Sequence, residues 1–231
     1  MTKHTSYVDA ALPARTSTYT PVGHIQLLDF VEERLDKAGF EKSSLQVDQN
    51  LDGTVIVANM GLKHYTNSEF HQEFSVINSY NKSKPVTFAS GARVFACSNG
   101  MIISDAVTVR KHTTNVWSEL EQRANIAIGQ LKENWKKAQE HAEIMKLRDM
   151  PFTEMAEVLG RLFIDEQILL STEVNTAARE LRKPTFEDFS QRTLWSLYNA
   201  CTFSLKEAHV SRKNNSLKRL HNFCIDYTTQ S

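Results

Sequence analysis

Cysteine is scarce in this sequence, and its spacing argues against two kinds of small domain. The 231 residues include three cysteines, Cys97, Cys201 and Cys224, which lie far apart. Zinc sites and disulfide frameworks need cysteines, or cysteines and histidines, at short repeated spacings, and no such spacing occurs. We therefore predict reduced core thiols in a cytoplasmic protein, with no metal ion and no other cofactor.

The sequence also lacks a net charge and any long apolar run. Its 27 basic residues balance its 27 acidic residues, whereas proteins that hold DNA through its phosphates are usually basic overall. Any nucleic-acid site must therefore be a local patch. No apolar run approaches the roughly 20 residues of a membrane-spanning helix, and the N-terminal residues lack the apolar core of a secretory signal. We predict no contact with a membrane.

Motifs of common enzyme classes are missing as well. The sequence contains no P-loop, no GxSxG, no HExxH and no dinucleotide-binding fingerprint. Its acidic residues are scattered, whereas a nuclease clusters carboxylates around a divalent ion. These absences favour a protein that binds a partner rather than one that catalyses a reaction.

The N-terminal half shows the pattern of a helix followed by an antiparallel meander. Ile25, Leu28, Val31 and Leu35 recur at helical spacing, and Gly39 ends that helix. Asp52-Gly53 between two alternating apolar runs predicts a hairpin. Alternation continues to about residue 112, with further turns predicted at three places: 81–85, Ser90-Gly91 and Asn99-Gly100.

A long apolar stripe follows the meander. Between Trp117 and Met145, apolar residues recur every three or four positions, which predicts one amphipathic helix that begins near Thr114 or Asn115. A helix of about 30 residues is about 45 Å long and outruns a single sheet. Its far half must therefore pack on other helices or on a second subunit, and we expect a homo-oligomer.

The remaining residues predict a C-terminal helical region, with breaks at Pro184 and at 213–215. The predicted fold class is therefore α+β: an N-terminal helix, an antiparallel β-meander, one long amphipathic helix and a C-terminal helical region. We divide the chain into an extended N-terminal arm (1–20), a sheet region (21–114) and a helical region (115–231) packed on it, together forming one domain.

Four segments resemble, in order, the blocks of a family called domain of unknown function 932. They are TYTPVGHIQLLDFVEERLDKAGF, NSYNKSKPVTFASGARVFACSNGMI, VRKHTTNVWSELEQ and TLWSLYNACTFSLKEAH. Gly100-Met101 and Phe203-Ser204 depart from the family's commoner residues. The resemblance spans about residues 18–210 and implies a gene carried by bacterial phages, plasmids or related elements. It brings no catalytic residues with it.

Two basic clusters are candidate binding sites for an anion or a nucleic acid. The first comprises Arg93, Asn99, Lys111, His112 and Thr113, which we expect at one corner of the sheet beside the start of the long helix. The second comprises Arg212, Lys213, Lys218 and Arg219 near the C-terminus. The alternatives are a tight turn and a helix cap for the first cluster, and a solvated helix face for the second.

Two hypotheses of function follow, and both are non-enzymatic. In the first, the chain is an accessory protein of a phage or plasmid that binds DNA or RNA as a homo-oligomer, in the manner of single-strand binding or annealing proteins. Tyr80 and Phe88 would then either stack bases or pack in the core. In the second, it is a host-interaction or anti-defence protein that binds a host protein or a small ligand. Either activity would operate in the cytoplasm of a bacterial host.

Overall fold

A computed structural model describes residues 10–66, 70–94 and 107–229 of the chain. Five strands form one sheet in the order of the sequence: β1 (Lys42–Gln49), β2 (Val55–Thr66), β3 (Phe70–Ser79), β4 (Val86–Val94) and β5 (Val107–Arg110). The described helices are α1 (His24–Lys37), α2 (Val116–Gly129), α3 (Leu131–Leu147), α4 (Phe152–Ile164), α5 (Ser171–Arg182), α6 (Leu194–Ser204) and α7 (Val210–Thr228). The predicted α+β class and order of elements are confirmed.

The described residues divide into two compact units. The first, which we call the sheet unit, contains residues 10–92 and 107–135. The second, which we call the helical unit, contains residues 93–94 and 136–229. None of the helices in the described part of the chain is long and apolar enough to cross a membrane.

The core of the sheet unit lies where α1 and α2 contribute apolar side chains to one face of the sheet. Ile56, Ala58 and Met60 alternate along β2 and are fully buried there, because every second residue of a strand points to the same face. In α1 the buried stripe runs through Leu27 and Leu28. The predicted place of Ile25 in that stripe is wrong, since its side chain is 43% exposed.

The first hairpin forms where the sequence predicts it. Gly53 has a φ of +66°, which suits glycine because it has no Cβ. Asn50 Oδ1 accepts a hydrogen bond from Val55 N at 2.8 Å, and Asp52 Oδ1 accepts one from Thr54 N at 3.1 Å. The side chains of Asn50 and Asp52 therefore accept hydrogen bonds from backbone N–H groups where the turn meets β2.

The later turns follow the prediction only in part. Residues 80–85 connect β3 and β4, as predicted. The turn predicted at Ser90-Gly91 is wrong, because both residues lie inside β4. There Asn134 Nδ2 donates to the oxygens Ser90 Oγ (2.6 Å) and Ser90 O (3.3 Å), so a helix-borne side chain holds the strand at this point. The predicted turn at Asn99-Gly100 lies outside the described residues.

The single long helix predicted from Trp117 onward is two helices, separated by Gln130. Gly129 weakens the helix at this point, and Gln72 Nε2 from β3 donates to Leu131 O at 2.6 Å. The apolar stripe itself exists and is buried within the monomer from Leu120 to Met145.

The predicted C-terminal helical region is confirmed, and the predicted break at Pro184 follows the end of α5 at Arg182. The break predicted at 213–215 is wrong, because these residues lie inside α7. Lys213 Nζ donates to Lys206 O at 3.0 Å, and the neighbouring Arg212 donates to Ile168 O at 3.1 Å. These tertiary contacts outweigh the weak helix propensity of the asparagine pair.

A lysine-lined candidate anion-binding cleft

An open cleft of about 470 Å³ lies on the sheet unit. Three segments meet there: the end of the N-terminal arm, the loop between β3 and β4, and the residues that follow β5. Its lysines are Lys82, Lys84 and Lys111. The other lining residues are Thr18, Tyr19, Pro85, Val109, His112 and Thr113.

The loop between β3 and β4 is a compact polar turn that presents two of the lysines. Asn81 Oδ1 accepts a hydrogen bond from Ser83 N at 3.0 Å. Ser79 Oγ accepts one from Lys84 N at 3.0 Å and donates to Lys84 O at 2.7 Å. Lys82 adopts a left-handed backbone conformation with φ +62°. These hydrogen bonds fix the backbone of the loop, and therefore the positions from which the side chains of Lys82 and Lys84 extend.

The pairing of β4 with β5 brings the third lysine to the same place. Val86 pairs with Arg110, so Lys111, one residue further, lies beside Pro85. Arg110 itself does not add charge to the cleft, because its guanidinium forms an ion pair with Glu119 at 2.6 Å. Within the described ranges, no carboxylate forms an ion pair with Lys82 or Lys111, and both side chains are exposed.

Tyr19 and His112 form the buried floor of the cleft, being 5% and 8% exposed. Their ring centroids are 5.6 Å apart, and Tyr19 OH donates to Tyr80 O at 3.1 Å. The ammonium of Lys82 lies 4.6 Å from the centroid of the Tyr19 ring. Tyr19, which belongs to the N-terminal arm, therefore contacts both His112 and Lys82.

Burial lowers the pKa of His112, and the backbone of Thr20 and Lys84 acts in the opposite direction. The ring is therefore neutral at pH 7, and the positive charge of the cleft comes from lysine. Neither ring nitrogen is accessible to solvent. His112 thus packs against Tyr19, and its two ring nitrogens are buried.

The structure brings together Lys111, His112 and Thr113 of the first predicted cluster. The side chain of Arg93 and the whole of Asn99 lie outside the described residues. Lys82 and Lys84 are not among the site residues predicted from the sequence. The signal was the excess of basic residues over the late hairpins, but the pairing of β4 with β5 was needed to place these two lysines beside Lys111.

Most of the second predicted cluster is engaged in contacts that build the helical unit. Arg212 forms an ion pair with Glu173 and also donates to Ser216 Oγ at 3.0 Å. Arg219 donates to Glu166 O and lies 4.0 Å from the carboxylate of that residue. Lys218 is exposed. The C-terminal residues thus offer less free charge than their sequence suggests.

The aromatic residues considered for base stacking are packing residues. Tyr80 stacks on His24 with ring centroids 3.8 Å apart and is 5% exposed. Phe88 is 1% exposed and belongs to the core of the sheet unit. The core-packing alternative is therefore the one that the structure supports.

Two cysteines lie within the described residues. Cys201 and Cys224 are buried free thiols, and burial raises the pKa of both. Cys97 lies outside the described residues. In the described ranges, no group of three His, Cys, Asp or Glu side chains could hold a metal ion.

The fold and the cleft define an α+β protein that presents a lysine-lined cleft on its sheet unit. The family model for domain of unknown function 932 (DUF932) matches residues 11–223. The chain therefore belongs to that family, which confirms the resemblance seen in its sequence blocks. No curated protein matches the chain, and no solved structure does.

Proposed function

We propose that this protein binds nucleic acid through phosphate contacts at the lysine-lined cleft. The observation that carries the proposal is the meeting of Lys82 and Lys111, exposed and without described ion pairs, in one cleft with Lys84. On a chain with no net charge, such a cleft is a local site of positive potential that attracts a polyanion.

The chemistry of the cleft suits a polymer better than a small anion. Pockets for a single phosphate or carboxylate commonly use arginine, whose planar guanidinium gives two hydrogen bonds in a fixed geometry. Here the cations are lysines, each of which presents a single point charge on a flexible stem rather than a planar fork of donors. A row of backbone phosphates can meet such charges without a fixed geometry.

The setting of this activity is also a proposal. The family resemblance supports an accessory protein of a phage or plasmid. Within that setting, we propose a single-strand binding or annealing activity, for which the lysine-lined cleft is the support. The free thiols of Cys201 and Cys224 support a reducing compartment such as the bacterial cytoplasm.

Homo-oligomerisation is a proposal that rests on the helical unit. Leu147, Ile164 and Leu170 are large apolar side chains of that unit, and they are 83%, 68% and 53% exposed. Their contact in an oligomer would remove apolar surface from water. Light scattering should give a multiple of the mass of one chain, and a monomer mass at high protein concentration would refute this part of the proposal.

Fluorescence anisotropy tests the nucleic-acid proposal directly. We expect labelled oligonucleotides to bind at micromolar protein in about 50 mM salt, because phosphate-driven affinity is greatest at low salt. The double variant Lys82→Gln/Lys111→Gln should weaken binding about tenfold or more.

The matched control is Lys37→Gln/Lys63→Gln, which removes the same charge from two exposed, ion-paired lysines of the sheet unit. It should change the affinity by less than about twofold. If single-stranded and double-stranded oligonucleotides both fail to bind at low salt, the proposal is refuted. The hypothesis of a host-protein partner would then be favoured, and pull-down from host lysate is its test.

A further inference from the structure

We propose that the lysine-lined cleft recognises the phosphates of a nucleic-acid backbone and reads no base. Its ligand class is a linear polyanion of any base sequence, of which a single nucleic-acid strand is the biological example. This inference rests on the proposed function and goes one step beyond it, to the part of the ligand that the cleft contacts.

The first reason is that Tyr19, the aromatic residue of the cleft, is not available to a base. Proteins that bind single strands through bases expose aromatic rings on which the bases stack. Tyr19 is 5% exposed, the ring of His112 lies against it, and the ammonium of Lys82 already lies over its face. A base could stack on Tyr19 only if these neighbours moved.

The other rings that the structure describes in the sheet unit are buried or partly buried. Phe74 and Phe88 are buried in the core. Phe30 and Trp117 are partly buried and contact each other edge to face, with centroids 6.0 Å apart. Tyr80 is stacked on His24. Among the sheet-unit side chains that the structure describes, no phenylalanine, tyrosine or tryptophan ring is exposed.

The second reason lies in the polar groups of the cleft. Base edges are read mostly by side chains that make two hydrogen bonds to one base, such as arginine, asparagine and glutamine, and lysine can contact guanine as well. The described lining of the cleft contains no arginine, asparagine, glutamine or carboxylate. Its lysines are point charges on flexible stems rather than planar donors, and the nearby Arg110 is bound to Glu119 and to Thr113 Oγ1. The hydroxyls of Thr18 and Thr113 can donate to phosphate oxygens, which carry no sequence information.

Three oligonucleotides of about 20 nucleotides separate phosphate contacts from base contacts. They are oligo-dT, an abasic strand with the same phosphates, and an oligo-dT whose linkages are uncharged methylphosphonates. We expect the abasic strand to bind within about twofold of oligo-dT, and the uncharged strand to bind about tenfold more weakly or not at all. An abasic strand that binds about tenfold more weakly than oligo-dT would overturn the inference.

The salt dependence of binding identifies the lysines that meet phosphates. Each phosphate neutralised on a single strand contributes about 0.7 to the slope of log affinity against log salt. The variant Lys82→Gln/Lys111→Gln should therefore reduce that slope by about 1.4, while Lys37→Gln/Lys63→Gln should leave it unchanged. An unchanged slope in the first variant would place the phosphate contacts elsewhere and overturn the inference.

These outcomes separate the two proposals. If no strand binds at low salt, the proposed function fails. If oligo-dT binds and the abasic strand does not, nucleic-acid binding stands and recognition through phosphate alone is wrong.

Discussion

At the scale of single residues, the basic side chains of this protein differ in what surrounds them. Several arginines hold carboxylates within the chain, as in the pairs Arg110–Glu119, Arg148–Glu154 and Arg212–Glu173. Lys82 and Lys111 instead extend from exposed loops without a described carboxylate. These three arginines therefore contribute to contacts within the fold, whereas the charges of Lys82 and Lys111 are exposed to solvent.

Because the ring of His112 is buried, we expect the protein to lose stability in mild acid. Burial lowers the pKa of His112 in the folded state, whereas an unfolded chain has a histidine pKa of about 6.5. The unfolded state therefore binds more protons as the pH falls through that value. The contribution of the neutral ring is fully present above about pH 6.5 and is lost as the pH falls towards the folded-state pKa.

Urea unfolding measured at about pH 7.5 and about pH 5.5 tests this. Wild-type protein should lose more free energy of unfolding between these pH values than His112→Gln does. The control is His209→Gln, which removes an imidazole at an exposed position. An equal pH dependence in wild-type protein and His112→Gln would contradict the assignment of a buried neutral ring.

The hydroxyl of Tyr19 should contribute to the stability of the fold, although the residue lies near the N-terminus. Tyr19→Phe removes the hydrogen bond to Tyr80 O and should lower the free energy of unfolding by about 1 kcal/mol. Because the ring and its contact with Lys82 remain, oligonucleotide affinity should stay within about twofold. A loss of affinity without a loss of stability would instead indicate that the hydroxyl contacts the ligand.

At the scale of elements, two glycines show opposite roles of the same residue type. Gly53 closes the first hairpin at φ +66°, a conformation that costs an L-residue about 1–2 kcal/mol. Gly160 lies inside α4, where an added Cβ would meet nothing within 4 Å. One glycine is required by its backbone conformation, and the other only weakens its helix.

Alanine at these two positions should therefore shift stability in opposite directions. Gly53→Ala should lower the free energy of unfolding by about 1–2 kcal/mol, and Gly160→Ala should raise it by about 0.5–1 kcal/mol. Thermal or urea unfolding of both variants is the measurement. A stabilised Gly53→Ala would mean that the turn has another conformation.

At the scale of the whole molecule, the helical unit encloses two cysteine side chains that water does not reach in the folded protein. Cys201 and Cys224 lie in the helical unit and are fully buried. Burial raises the pKa of both thiols, and for Cys224 the neighbouring Cys201 adds to the effect. A thiol that stays protonated and inaccessible reacts slowly with alkylating agents.

Alkylation followed by peptide mapping tests this protection. In native protein at neutral pH, iodoacetamide should leave Cys201 and Cys224 unmodified, and both should become modified in denaturing urea. The denatured sample also shows that both peptides can be detected. Rapid native modification of either residue would contradict the burial of α6 and α7 that the structure shows.

Much of this fold could be predicted from local sequence. The spacing of Leu28, Val31 and Leu35 determines α1, and Asp52-Gly53 determines the first hairpin, because helical periodicity and left-handed turn conformations depend on neighbouring residues. The α+β order of elements follows from the same local patterns. The ordered family blocks likewise predicted the family to which the chain belongs.

Tertiary structure decided the rest. The interruption at Gln130 coincides with a hydrogen bond from the distant Gln72, and Arg212 is neutralised by Glu173. The cleft itself exists because β4 pairs with β5 in one register, which sets Lys111 beside the loop of Lys82 and Lys84. Contacts between residues far apart in sequence set burial and charge pairing, so no local pattern contains them.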